Sequence, residues 1–264
     1  MSNQPTFVAI GDIHGNIKKL EAAMASEAYQ QANARIFMGD LVNGKDDDNY
    51  AVLKKAIESD AIWLRGNHDE AFALLLELIS EYAATQQDFV YDDFMASLGI
   101  TERQFQAFSK LYQDLSTNLN DENLNAFCAA YGSWYKKCPY FIRIGHTYLS
   151  HGGWHHMMLN AEQEFLSQQL TPYVWTSPLD KITANKVVFG HGLAYRNRPA
   201  KAHFLPPKNR LLIVGHHFRE DHAYYIADNV LCIDSGCGKK TENDLTMVVL
   251  NQHGEVLETL TFNA

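Results

Sequence analysis

The chain has 264 residues, 46% of them hydrophobic, enough to bury a sizeable core in one large domain or two small ones. Its formal net charge of −9 argues against a nucleic acid polymer as partner, because phosphate backbones are held by clustered Lys and Arg. The opening MSNQPTFVAI has no basic flank ahead of a long apolar run, so neither a signal peptide nor a membrane anchor is expected, and the expected location is cytoplasmic.

In chain order, TFVAIGD reads as a strand, Asn16 caps the helical stretch IKKLEAAMASEAYQQA, and ARIFMGD is a second strand. NYAVLKKAIES is then a helix and AIWLRGN a third strand. Strands separated by helices imply a parallel arrangement, in which ligands collect at the carboxyl ends of the strands. From about residue 70 to 136, EAFALLLELISEYAA, TERQFQAFSKLYQDL and DENLNAFCAAYGSWYKK carry helical periodicity and no strand, so this region is expected to be a helical insert or cap on a single domain spanning 1–264. YFIRIGHTYLSHGG reads as a hairpin turning at Gly145. KVVFGH, RLLIVGH, YYIADNVLCIDSG and LTMVVLNQHGEVLETLTF add further strands. Cys128, Cys138, Cys232 and Cys237 show no CxxC spacing and read as reduced, packed thiols.

The same grammar ends five of these strands. FVAIGDIHG stops at Asp12 and His14, RIFMGD at Asp40, IWLRGNHDE at Asn67 and His68, TYLSHGG at His151, and LLIVGH at His216. Carboxylates, an Asn carbonyl and imidazoles without thiolates suit Mn, Fe, Zn or Ni better than Mg or Ca. Six ligands drawn from these exceed what one tetrahedral ion needs and suit two ions if one carboxylate bridges.

GDIHG, GDLVNGK, LRGNHDE, SHGG, VGHHF and IDSGCG occur in this order over nearly the whole chain. They resemble the pattern GDIHG, GDxVDRG, LRGNHE, HGG, strand-terminal His and IDTG of the calcineurin-like metallophosphoesterases, especially the serine/threonine phosphoprotein phosphatases and their bacterial relatives. The resemblance implies an α/β fold with a central β-sandwich flanked by helices and two divalent metal ions, manganese being the first expectation. Asp12 and His14 would bind one ion, Asp40 would bridge, and Asn67, His151 and His216 would bind the other. His68 would be the general acid in an attack by metal-activated hydroxide, and Arg65 would either orient the phosphoryl group or form an ion pair beneath the site. Of two strand-ending Gly-His pairs, His216 fits the family's layout, because the segment from it to IDSG matches the family's final hairpin. His191 would then be a supporting or structural residue and His217 a loop histidine.

Departures from the pattern bear on the substrate. Asn43 and Gly44 replace the family's Asp and Arg, so Asn43 would orient His68 without charge unless Asp46, Asp47 or Asp48 substitutes. The phosphate-clamping arginine is missing, and Lys45, Arg196, Arg198 and Arg219 are candidate replacements. The expected substrate is a phosphorylated one: a phosphoprotein or small phosphomonoester, as for a serine/threonine phosphatase, or, as the alternative suggested by CIDSGCG, a diadenosine tetraphosphate-like dinucleotide cleaved symmetrically. A non-catalytic metal-dependent scaffold is the remote third reading. Phe94, Phe105 and Tyr112 would either shape a nucleotide-sized pocket or pack as core.

Overall fold

The computed structural model describes residues 4–43, 48–85, 102–162, 168–190, 204–218, 223–239 and 242–263. Strand β1 (Thr6–Ile10) shows how alternation builds the layers. Phe7 and Ala9 join one apolar cluster with Ile36, Leu149 and Ile213, while Val8 and Ile10 join another with Leu20, Val52 and Phe72. Successive side chains leave opposite faces of a strand, so a strand apolar at every position must be covered on both sides.

Two sheets meet across the first cluster. Strands β2 (Ala34–Phe37) and β3 (Ile62–Trp63) run parallel to β1, and the C-terminal hairpin β11 (Leu245–Asn251) and β12 (Val256–Phe262) pairs antiparallel to it, giving the order β12-β11-β1-β2-β3. The second sheet holds β4 (Phe141–Ile144), β5 (Thr147–Ser150), β6 (Gln168–Thr171), β7 (Val174–Thr176), β8 (Leu211–Val214), β9 (Tyr224–Ala227) and β10 (Val230–Cys232). Its order is β6-β7-β4-β5-β8-β10-β9, with β5, β8 and β10 mutually parallel. The result is the expected sandwich of two sheets with helices on both outer faces.

On the first sheet's outer face lie α1 (Ile17–Ala25), α2 (Glu27–Gln31) and α3 (Asn49–Glu58), then α4 (Asn67–Thr85), α5 (Glu102–Asn118) and α6 (Asp121–Tyr135) between β3 and β4. Phe72, Leu75, Leu76 and Ile79 form the buried stripe of α4 and meet Leu124, Cys128, Tyr131 and Tyr135 of α6 in the same apolar cluster. Tyr112 packs against this cluster as core, whereas the side chains of Phe94 and Phe105 fall outside the described residues.

Two expectations are corrected. The helix expected over 17–32 breaks at Ser26, whose backbone is extended and whose hydroxyl accepts from Tyr29 N at 3.3 Å, starting a new helix. KVVFGH is not a strand: residues Lys181–Val188 form α7, started by Asp180, whose carboxylate accepts from Ile182 N and Thr183 N at 3.0 and 3.1 Å. Thr183, Ala184, Val187 and Val188 are its buried face, a helical spacing that outweighs the β preference of the paired valines.

At the end of the sandwich opposite the carboxyl ends of β1 and β5, two hairpin turns clasp. His146 N donates to His253 O at 3.0 Å and Thr147 Oγ1 to Gly254 O at 2.6 Å, linking the β4–β5 turn to the β11–β12 turn. Gly145 makes this possible. Its φ is +54°, and a Cβ there would sit 2.1 Å from His253 O. Gly145→Ala is therefore expected to lower the unfolding free energy by about 1–3 kcal/mol in urea titrations, without changing the metal content of the distant site.

Candidate metal centre

The strand-end residues converge at the carboxyl ends of the parallel strands. Asp12 and His14 follow β1, Asp40 follows β2, Asn67 and His68 open α4 after β3, His151 follows β5 and His216 follows β8. Three of these, His14, Asp40 and His216, hold φ of +47°, +52° and +61°, as does Asn43 at +73°. Such backbone costs of order 1–3 kcal/mol per residue and persists where surrounding bonds over-determine it. Here Ile13 N and His14 N both donate to Asp40 O, at 3.0 and 2.9 Å, and His216 N donates to both carboxylate oxygens of Asp12, at 3.2 and 3.1 Å. Gly215 lets the two sheets approach, since a Cβ there would lie 2.2 Å from Asp12 Oδ1.

Two groups of potential ligands form, and Asp40 belongs to both. His14, Asp40 and His68 make one and Asp40, His151 and His216 the other, with ligand atoms within 4.8 Å of one another in each. Asp12 Oδ2 lies 3.7 Å from His14 Nε2 and Asn67 Oδ1 lies 3.0 Å from His151 Nε2 and 2.6 Å from His216 Nδ1, extending the two groups.

The donor chemistry fits cations. His14 Nδ1 faces Val42 O at 3.1 Å and so carries the proton, leaving Nε2 as a lone pair that is buried without a hydrogen-bond partner among the described residues. His151 Nδ1 likewise faces Met38 O at 2.9 Å, which turns its Nε2 towards the Asn67 carbonyl oxygen at 3.0 Å. Burial, then the Lys239 ammonium, lowers His14 to about 4, and burial, then His151, lowers His216 to about 3, so both rings are neutral at pH 7. Burial works against a charged His151 as well, yet the Asp40 carboxylate at 3.3 Å outweighs it and raises this ring to about 10. Burial also pushes Asp40 upwards, but His151 and His68 hold its carboxyl well below the usual range.

His68 stands at the rim with its side chain 32% exposed, Nε2 3.8 Å from Asp40 Oδ2 and its backbone N donating to Asp40 Oδ1 at 2.9 Å. Asn43 meets it as expected, with Nδ2 3.0 Å from His68 Nδ1. Asp48 instead caps α3, accepting from Ala51 N at 2.9 Å. Of the two expectations for Arg65, the geometry favours the structural one. Its Nε donates to Cys138 O and Nη1 to Tyr140 Oη, both at 2.9 Å, Nη2 donates to Lys136 O, and Glu70 lies 3.6 Å away. These bonds engage three of the five guanidinium donors on the residues after α6, as the structural expectation has it. His217 is buried on Gly152 O at 2.6 Å, a loop histidine. Gly44, Lys45, Asp46, Asp47, His191, Arg196, Arg198 and Arg219 lie outside the described residues.

Two charged residues of the site went unassigned in the sequence, Asp234 and Lys239. Asp234 is fully buried at the end of β10, and burial, outweighed by Lys239, leaves its carboxyl below the usual range. The signal was present, since VLCIDSG repeats the strand-then-polar-ligand grammar of the other five ends, two of which stop at a carboxylate.

The family model for calcineurin-like phosphoesterases matches residues 5–219. The chain belongs to this family. Calcineurin-like phosphoesterases are metal-dependent hydrolytic enzymes, and the two ligand groups of this member agree with that chemistry. Solved structures share its fold at low identity. A putative diadenosine tetraphosphatase is 17% identical, with 99% of this chain and 95% of that one covered at a TM-score of 0.52. A protein serine/threonine phosphatase from Saccharomyces cerevisiae with similarity to human phosphatase PP5 is 14% identical over 100% and 81%, also at 0.52. A metallophosphoesterase from Sphaerobacter thermophilus is 13% identical over 98% and 89% at 0.46. No curated protein sequence matches the chain. Among the described residues no helix is long and apolar enough to cross a membrane.

A pH dependence follows for the chelated protein. His151 is raised from 6.5 to about 10 in the folded chain, so its proton contributes stability that is fully present below pH 6.5 and is lost as pH rises towards 10. Urea midpoints measured with EDTA are expected to fall over that window, and saturating divalent cation is expected to suppress the fall by replacing the proton. Parallel curves with and without cation would refute it.

Proposed function

We propose that the chain is a dinuclear-metal phosphomonoesterase of the serine/threonine-phosphatase type. The observation that carries this reading is the membership of Asp40 in both ligand groups, with the partly exposed His68 beside it. In this reading Asp12, His14 and Asp40 hold one ion, and Asp40, Asn67, His151 and His216 hold the second. The mixed oxygen and nitrogen set suits manganese, with Fe, Zn or Ni as other occupants. Two such ions supply an acidified water and neutralise phosphoryl oxygens.

The residues of the chain do the rest. The strained loops fix the ligand atoms before substrate arrives, and His68 Nε2 delivers a proton to the departing oxygen of the phosphoester. Asn43 holds the far side of that ring in register through the 3.0 Å contact. The partner this reading implies is the phosphorylated substrate.

Elemental analysis of manganese-loaded protein tests the ligand roles. Asp40→Asn is expected to lose both ions and to lower turnover at least about a hundredfold, while His151→Ala or His216→Ala keeps roughly one ion. Two ions and unchanged turnover in Asp40→Asn would refute the bridge.

A second substrate reading, symmetrical cleavage of a dinucleoside tetraphosphate, is favoured by CIDSGCG and by the near-complete mutual coverage with the putative diadenosine tetraphosphatase. Product analysis with manganese separates the two. Inorganic phosphate released from a phosphoserine peptide is the expected outcome, whereas ADP from diadenosine tetraphosphate, with no phosphate from the peptide, would transfer the assignment to the second reading.

A further inference from the structure

The reaction proposed above needs a cation to hold the phosphoryl group, and the family's arginine is absent at Asn43 and Gly44. Arg65 is held by Cys138 O, Lys136 O and Tyr140 Oη, and Lys19 is buried with its ammonium on Asn243 O at 2.6 Å. Lys239 differs from both. The turn that carries it, from Gly236, packs directly on the first ligand group: Gly238 has φ +70°, a Cβ on it would lie 2.7 Å from His14 Cβ, and Cys237 Sγ sits 3.5 Å from Ile13 O.

Lys239 Nζ donates to Asp234 Oδ2 at 3.0 Å, and Asp234 Oδ1 in turn accepts from Gly236 N at 2.9 Å, so the ammonium is aimed by a buried carboxylate. Its side chain is still 32% exposed, and its remaining flank faces the Phe218 ring at 5.3 Å. An ammonium has three protons, and Asp234 is the one acceptor found for it among the described residues. Its charge works against the burial of the Asp12 carboxylate and lowers the His14 and His216 rings.

We propose that Lys239 is the phosphoryl-anchoring residue of this chain, donating from its exposed face to a non-bridging oxygen of the substrate in place of the missing arginine. The proposal rests on the phosphoesterase reading. An ammonium is a point charge with rotating donors, whereas an arginine fork demands one planar orientation. Lys239 therefore grips a terminal phosphoryl group without dictating its tilt, which suits phosphomonoesters of differing bulk.

The test measures inorganic phosphate binding to the manganese-loaded protein by calorimetry, with metal content determined on the same samples. Removing Lys239 alone strands the buried Asp234, so the informative variant is the double Lys239→Met with Asp234→Asn, beside Lys239→Arg. Expected are unchanged metal content and a Kd for phosphate raised about ten- to a hundredfold in the double variant, with Lys239→Arg within a few-fold of the parent. KM for p-nitrophenyl phosphate should rise in step, with kcat changed less. Phosphate bound by the double variant as tightly as by the parent would overturn the proposal. So would parallel loss of metal and phosphate, which would make Lys239 a balance for the ligand carboxylates. If the parent itself neither binds phosphate nor cleaves p-nitrophenyl phosphate, the phosphoesterase reading fails first and the role of Lys239 falls with it.

Discussion

Four carboxylates, Asp12, Asp40, Asp69 and Asp234, are all at most 1% exposed, and three of them lie at the carboxyl ends of parallel strands. Water cannot solvate them, so each charge must be neutralised by a proton, a cation or directed hydrogen bonds. The chain uses all three. Burial, then Asp40, raises Asp69 to about 7, while Leu41 N and Trp63 Nε1 donate to it at 3.0 and 3.4 Å. Lys239 compensates Asp234, and the His151 ring compensates Asp40. Burial, then Asp234, raises Asp12 well above the carboxylate range, which leaves it the least compensated member. A site with this imbalance favours cations over protons as soon as divalent metal is present, because a doubly charged ion answers several carboxylates at once.

The sandwich makes such crowding tolerable. Strand ends from two different sheets face each other, so no single strand has to carry two adjacent charges. The carboxylates double as acceptors for backbone donors, Asp12 for His216 N of the opposite sheet and Asp40 for His68 N at the start of α4. Folding and site assembly are thus one event: the left-handed backbone of His14, Asp40 and His216 is held by the same bonds that aim the ligands. The clasp at Gly145 and His253 closes the far end of the sheets, so this strain is opposed by packing along the whole strand length.

Much of this was legible in the sequence. Apolar alternation and strand-then-helix spacing gave the parallel core, and the repeated strand-to-glycine-to-ligand grammar named the side chains that converge. What escaped it was decided by partners remote in the chain. Arg65 sits within LRGNHD, where chemistry was expected, but its acceptors are carbonyls at Lys136 and Cys138, and no local pattern encodes a match across that distance. KVVFGH looks like a strand until Asp180 is counted as a cap. Lys239 follows a motif whose role seemed complete at IDSG, and only folding brings its neighbour Gly238 back against His14.

Asn43 illustrates how a departure from a motif can keep the geometry and change the electrostatics. Its backbone N donates to Asn49 Oδ1 at 2.8 Å, and Asn49 is buried at the start of α3, so the loop bearing Asn43 is tied to a helix terminus. The side chain therefore reaches His68 from a fixed base. A carboxylate there would prefer a charged ring, whereas an amide can turn its NH2 or its carbonyl to the ring and so holds either state in the same place. Orientation is retained and charge coupling is given up. With Asn43 neutral, the charge that faces the His68 ring directly is that of Asp40, 3.8 Å from Nε2, so the carboxylate partner of this ring lies on the side of the ligand groups and not behind it.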